Sequence, residues 1–203
     1  MSFPHRVVLV EYSHLLDIQG VPRCAIPFAM ILGLSRGEVR LVAHQAGWSV
    51  AFANEKEQLA RILKSSALMI EHVGSTAVPD LAAKPILDIA VAVSSLADTS
   101  HWPHLLRDLE YTFFGDREGW GEHFYSKGPD QNRTIYLHVV PVEHTRWSDY
   151  LVFRDMLRAR TELRHEYETL KRQLLAQYGD NRPAYTNAKA ALIRRVLDER
   201  KRP

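Results

Sequence analysis

The stretch Ile86–Val93, ILDIAVAV, limits what this chain can fold into more than any other. It is a short apolar run, and Pro85 before it holds the entry extended, so it predicts a strand. Side chains of a strand alternate between faces. Leu87, Ile89, Val91 and Val93 then share one face and read as core, while Asp88, Ala90 and Ala92 share the other with Ile86. Asp88 is therefore not forced into the apolar layer. It can face a cleft, flanked by small residues that leave room for a ligand. The segment RTIYLHVVP at 133–141 repeats the pattern. Ile135, Leu137 and Val139 lie together, and His138 falls on the opposite face with Tyr136 and Val140. If the two strands are neighbours, Asp88 and His138 meet.

A second apolar run, ALMIEHV at 67–73, ends in Gly74-Ser75-Thr76, and twelve residues separate Ser75 from Asp88. Glycine lets the backbone approach a ligand closely, and successive N–H groups in such a turn can cradle an anion. The Ser75 and Thr76 hydroxyls add donors, and Lys84 adds a cation. These are the parts that phosphoryl or nucleotidyl transfer needs: donors on the phosphates, and a divalent cation between protein and phosphate oxygens. Each residue also has a plainer reading. The glycine turn alone is an ordinary strand-to-loop turn. Asp88 can be a structural acceptor for the glycine loop or a partner of Lys84, and a lone strand histidine such as His138 is as readily a satisfied structural group as a metal ligand. His72 reads as an exposed strand-end histidine, with a cleft-facing role as the alternative.

The rest of the chain frames this pair of strands. Residues 1–36 give no clean pattern: Val7–Val10 suits a short strand and Ile26–Leu34 a helix or strand, with Met30 as an alternative start. Glu38–His44 alternates as a strand would. Residues 47–66 predict a helix with Trp48, Phe52, Leu59, Ile62 and Leu63 on one stripe. HWPHLLRDLEY is a short helix, and YTFFG and EHFYSKG are further strands. After Pro141 the strand pattern stops. Three helices follow, with Gly179 as the C-cap of the second and Asp180 or Asn181 opening the third. The order implies an α/β (α+β) domain over 37–144, a helical subdomain over 145–203, and an extension of open structure over 1–36.

Composition excludes little else. One cysteine, Cys24, allows no intrachain disulfide and no Cys-based zinc site, so a reducing cytoplasm is the default. No apolar run approaches the roughly 20 residues of a membrane helix. A net charge of +2 is too small to argue for nucleic acid. Residues 150–203 carry 13 Lys and Arg against 7 Asp and Glu, which reads as a solvated helical face. An RNA-binding face is the weaker alternative, because the aromatics follow the core stripe. Arg154-Asp155 reads as a local ion pair, and Lys171 and Lys189 as solvated, with a nucleotide cleft as the alternative.

The stretch IEHVGSTAVPDLAAKPILDIAV, with YLHVV and YLVFRDMLRA, YETLKRQLL and YTNAKAALI in order after it, closely resembles the GrpB family over about residues 38–197. That family is assigned to the nucleotidyltransferase (polymerase β-like) superfamily, and some members are fused to a dephospho-CoA kinase. The resemblance implies a minimal nucleotidyltransferase-like mixed sheet with a C-terminal helical subdomain. It implies a phosphate site at Gly74, Ser75, Thr76 and Lys84 and a catalytic Asp88, with an NTP as ligand and a divalent metal (Mg2+, Mn2+ or Zn2+). A third carboxylate is expected on a later strand, where His138 stands instead, and Asp88 with His138 suits Mn2+ or Zn2+, or no metal, better than Mg2+. One departure stands out. Active enzymes of the superfamily carry Asp-x-Asp or Asp-x-Glu on this strand, and here the second position is Ala90. Two expectations follow: nucleotidyl transfer to a small molecule or protein, or a non-catalytic module binding a nucleotide, coenzyme or protein through a degenerate site.

Overall fold

The computed structural model describes residues 30–116, 119–179 and 181–199. The strand expected at Val7–Val10 and residues 26–29 of the segment Ile26–Leu34 lie outside the described residues.

Five strands form one mixed sheet: β1 (Met69–Val73), β2 (Leu87–Val93), β3 (Tyr111–Asp116), β4 (His123–Lys127) and β5 (Ile135–Pro141), in the spatial order β1-β2-β5-β4-β3. β2 is central and pairs antiparallel with β1 and parallel with β5. β4 pairs antiparallel with both β5 and β3. The uninterrupted apolar character of β2 matches this place, since a central strand covered on both faces has no solvent side. Register fixes who sits beside whom. Val73, Asp88, Tyr136, Ser126 and Thr112 form one row across the sheet, and Glu71, Ala90, His138 and Phe124 form the next row on the same face.

The opposite face is the main core. Ile70, Leu87, Ile89, Val91, Ile135, Leu137, Val139 and Tyr125 pack there against Trp48, Leu59 and Leu63 of α1 (Gly47–Leu63) and Trp102 of α2 (Trp102–Leu105). Glu55 of α1 is buried too, and it accepts bonds from Tyr111 at 2.9 Å and Lys127 at 2.8 Å, so both polar ends are satisfied.

Four helices follow the sheet: α3 (Thr145–Ala159), α4 (Thr161–Tyr178), α5 (Arg182–Ala188) and α6 (Ala190–Glu199). The Asn181 side chain caps α5 by accepting the Ala184 N–H at 3.1 Å. The predicted third helix is thus two helices that meet at Lys189. α3 lies on the Asp88 face, where Trp147 packs with Val73, Ala90, Ala92 and Val140. The loop between β1 and β2 joins the two parts: its Val78 and Leu81 are wholly buried among Leu157, Leu163, Tyr167, Leu192 and Val196 of the helices. α3 and α4 also grip this loop by its backbone. Arg158 donates to the Ala77 carbonyl at 2.8 and 3.0 Å. Glu168 accepts the Ala82 N–H at 3.0 Å while Lys171 donates to the Ala82 carbonyl.

Two expectations need correction. Glu38–His44 is no strand: only an isolated bridge between Val42 and Ala83 forms there, because the segment crosses the loop instead of a sheet edge. The described end of Ile26–Leu34 likewise carries one bridge, Leu34 to Arg133. Arg154-Asp155 is more than a surface pair. Arg154 is buried and reaches Glu71 at 2.7 Å and the His72 carbonyl at 3.0 Å, which ties α3 to the edge strand β1.

Candidate functional site

The site grows from the row Val73–Asp88–Tyr136. Gly74 leaves β1 with φ of +68°, a conformation that favours glycine. A Cβ added there would stand 2.9 Å from the Asp88 Cβ and Cγ. The glycine is needed because the backbone of the turn lies directly on the Asp88 carboxylate. Asp88 is the exception on its strand: the rest of β2 is buried, and its side chain is 31% exposed.

His138, on the neighbouring strand, holds Nε2 at 3.7 Å from Asp88 Oδ1, an ion-pair distance and longer than a hydrogen bond. The two predicted residues therefore meet. Behind His138 stands Glu122, which is 1% exposed. With the imidazole protonated, Nδ1–H donates to Glu122 Oε1 at 3.2 Å and to the Tyr150 hydroxyl at 3.0 Å. That hydroxyl donates to Glu122 Oε2 at 2.7 Å. Burial disfavours a charge on His138, but the facing Asp88 carboxylate and the hydrogen-bonded Glu122 outweigh it and raise its pKa to about 9. Burial likewise pushes Glu122 up, and His138, Tyr150 and Arg146 hold it below its ordinary value. Glu122 opens the segment EHFYSKG read as a strand, on the face of Phe124 and Ser126, but β4 begins one residue later at His123, and a carboxylate at a strand end gives no local sign that it is buried. Gly121 beside it, at φ +70°, gives no hint of a buried carboxylate.

Not every predicted residue faces this cleft. Thr76 is buried, and its hydroxyl is engaged by His72 Nε2 at 3.0 Å and by the Ile86 carbonyl, so its side chain serves the core side of the turn. His72 is neither exposed nor cleft-facing. It points to the core face, stacks on Phe52 with ring centres 4.7 Å apart, and is held neutral by burial, its pKa lowered to about 4. Ser75 does face the helices, with its hydroxyl 3.4 Å from Lys171 Nζ.

The helices bring a group of cations that strand patterns could not place. Lys171 of α4 is only 2% exposed, contrary to the solvated face expected of it. Burial, and then the charge of Lys189, lower its pKa to about 7. Lys189, at the α5–α6 junction, is lowered to about 8 by burial, although Asp88 supports its charge and Arg182 opposes it. The ammonium groups of Lys84 and Lys189 lie 5.7 and 4.8 Å from the centre of the Tyr185 ring. The Tyr185 hydroxyl is buried with no hydrogen-bond partner among the described residues. Arg182 donates to the Tyr136 hydroxyl, next to Asp88 in the register.

A metal on Asp88 and His138 can be tested against these donors. Their 3.7 Å separation is one that two ligands of a single ion can span. Two donors do not make a resident centre, however, and among the described residues no group of three or more His, Cys, Asp or Glu is arranged for a metal. His138 would also have to give up its proton to serve as a ligand. Ala90, where a second carboxylate would stand, is fully buried in the cluster with Trp147 of α3, so that position is closed to the cleft.

The family model described as GrpB protein matches residues 38–199. The chain belongs to the GrpB family. A glutamate-rich protein GrpB of Alkalihalophilus pseudofirmus is 34% identical over 83% of this chain and 99% of that protein. The UPF0157 protein YqkA of Bacillus subtilis is 32% identical over 81% of this chain and only 48% of its own length. A dephospho-CoA kinase of Mycolicibacterium paratuberculosis is 27% identical, again over 48% of its length. This chain thus spans about half of those two longer relatives. The crystal structure of GrpB from Enterococcus faecalis superposes with a TM-score of 0.73 at 32% identity, over 79% of this chain and 96% of that one. The Cid1 poly(U) polymerase superposes with a TM-score of 0.50 at 13% identity, over 72% of this chain and 50% of that one, a likeness of fold alone. The GrpB architecture is therefore the nucleotidyltransferase-like mixed sheet followed by helices. Among the described residues no helix is long and apolar enough to cross a membrane.

Proposed function

We propose that this GrpB protein binds a nucleoside triphosphate, or a ligand with a similar polyphosphate, between the Asp88 face of the sheet and helices α4–α6. The observation that carries this reading is a run of cations around Asp88: Lys171 on Ser75, Lys189 between the charges of Lys171, Asp88 and Arg182, and Lys84 with Lys189 on the Tyr185 ring. Lys189 opposes the charge on Lys171, and Arg182 opposes that on Lys189. Such a concentration of positive charge is costly unless an anion relieves it. Ser75 adds a neutral donor to the same cleft. A divalent ion fits best as a companion of the phosphates, with Asp88 and a deprotonated His138 completing a shell of phosphate oxygens.

A second reading, transfer of a nucleotidyl group to a small molecule or protein, is favoured by one observation. Glu122 and Tyr150 orient His138 towards Asp88, as positioned acid–base groups are oriented. Against efficient transfer stands Ala90, since a missing carboxylate removes most two-metal catalysis.

Tripolyphosphate and the four ribonucleoside triphosphates are the test, each with and without Mg2+, read by thermal shift and calorimetry. A ligand at about 100 times its Kd stabilises by roughly 2.7 kcal/mol. Lys171→Met and Lys189→Ala should each weaken tripolyphosphate binding at least about tenfold, or 1.4 kcal/mol. Wild type that binds no polyphosphate, or variants that bind it as wild type does, would sink the proposal. Multiple-turnover release of pyrophosphate, lost in Asp88→Asn, would establish the transfer reading.

A further inference from the structure

One strand away from Asp88, on the same face of the sheet, lies a pocket of about 240 Å3 lined by Arg36, Phe114, Phe124, Arg133, Tyr136 and Arg182. Two of these residues make it continuous with the phosphate cleft. Tyr136 is the register partner of Asp88, and Arg182 opposes the charge on Lys189 while donating to the Tyr136 hydroxyl.

The lining has a definite chemistry. The guanidinium of Arg133 lies 4.9 Å from the centre of the Phe114 ring, and that of Arg182 lies 5.3 Å from the Tyr136 ring. Phe124 lies 5.4 Å from Tyr136 and 6.0 Å from Phe114. Flat groups therefore surround a small space, as suits a flat guest. The polar atoms of these side chains are donors. Guanidinium has no acceptor, and the Tyr136 oxygen already accepts from Arg182, leaving its proton to give. Asp130, which pairs with Arg36 at 3.2 Å and with Arg133, is the carboxylate that offsets this charge. Arg182 pairs with no carboxylate among the described residues. Arg133 is 7% exposed, and its Nε is buried without a hydrogen-bond partner among the described residues. A volume below the roughly 300–1,000 Å3 of drug-sized sites favours one ring over two fused rings.

We infer that this pocket takes a single planar ring that turns carbonyl or carboxylate acceptors towards the arginines, a pyrimidine base or an oxo- and carboxylate-bearing ring, beside the phosphates of the cleft. The inference rests on the polyphosphate reading for its neighbour but not for its own chemistry. Such a ring has two sources: the base of the bound nucleotide, or a second small molecule that is the acceptor. Uracil carries carbonyl acceptors at C2 and C4 on either side of an N3–H donor, whereas cytosine carries an amino donor at C4 and an acceptor at N3. The pocket's donors therefore meet two acceptors on either ring, and UTP and CTP both serve as probes.

The experiment measures Kd for UTP, CTP, tripolyphosphate and orotate, the last with and without tripolyphosphate. The proteins are wild type and the double variant Arg36→Ala with Phe114→Ala. Both changed residues lie at the rim of the pocket, with the Arg36 side chain 67% and Phe114 42% exposed, so the fold should survive. If the ring is the base of the nucleotide, UTP and CTP bind wild type at least about tenfold tighter than tripolyphosphate, and the double variant removes that gain while leaving tripolyphosphate binding unchanged. If the ring belongs to a second molecule, UTP gains nothing over tripolyphosphate, but orotate binds wild type and is lost in the double variant. Equal affinities of the two proteins for both UTP and orotate would overturn the inference. Failure of tripolyphosphate to bind wild type would overturn the polyphosphate reading instead, because orotate needs no phosphate cleft.

Discussion

The two faces of the sheet obey different rules. On one, Leu87, Ile89, Val91, Leu137 and Val139 pack against α1 and α2, and the polar groups buried with them, Glu55 and His72, find partners there. On the other, the same strands present Asp88, Tyr136 and His138, and the helices that cover them bring Arg154, Lys171 and Lys189. One face is held by burial of apolar area, which any well-shaped hydrophobic set can provide. The other is held by charges that need particular partners, and it stays partly open at Asp88. A strand with period two lets a single segment do both.

Cutting into the apolar face should have the largest effect. Ile89→Ala, at a fully buried position, should cost about 2–5 kcal/mol in denaturant titrations. Polyphosphate affinity of the remaining folded protein should stay unchanged. A change in that affinity would mean that the faces are not separable.

Gly74→Val comes next and breaks the boundary between the faces. A β-branched residue at φ +68° carries roughly 1–3 kcal/mol of backbone strain. Its Cβ would also displace the Asp88 carboxylate. Folding and polyphosphate binding should therefore both suffer. A variant as stable as wild type would show that the turn relaxes without disturbing Asp88.

Glu122→Gln should have the smallest effect on stability, about 1 kcal/mol near neutral pH, and should sharpen the comparison most. A histidine raised to about 9 from 6.5 contributes stability that is full below pH 6.5 and is lost as pH rises through 9. Lys171 and Lys189, whose values are lowered to about 7 and 8, slope the other way: their cost is full below those values and disappears as pH rises. Only the first trend depends on Glu122. The wild-type minus variant difference should therefore shrink between pH 6.5 and 9, and NMR titration of His138 should report a lower pKa in the variant. An unchanged His138 titration would remove Glu122 from its role.

Much of the sheet was legible because β2 and β5 carry their address in their own alternation. Asp88 and His138 needed only the guess that their strands were neighbours. What was not legible came from elsewhere in the chain. Glu122 opens the segment read as the strand EHFYSKG, yet nothing local distinguishes a buried carboxylate at a strand end from a solvated one. Lys171 sits on a helix among charged residues, and nothing local distinguishes it from solvated Arg172. Its burial is decided by the β1–β2 loop, whose Ala82 carbonyl it meets. Glu38–His44 alternates like a strand yet has only the Val42–Ala83 bridge to pair with. Thr76 looked like a phosphate donor because its hydroxyl is adjacent to Ser75, and the 3-10 turn at Ser75–Ala77 rotates it to the far side.

The contact between Gly74 and Asp88 also sets an order in which such a site can decay over generations. A longer acid at 88 would run into the backbone of the turn, and any side chain at 74 would run into the acid. Shrinking or neutralising residue 88 removes the collision but leaves the turn, whose φ still demands glycine. Drift can therefore erase the carboxylate while the glycine persists, and the reverse path is closed. A lineage that lost its chemistry long ago would still carry the glycine as a trace of it.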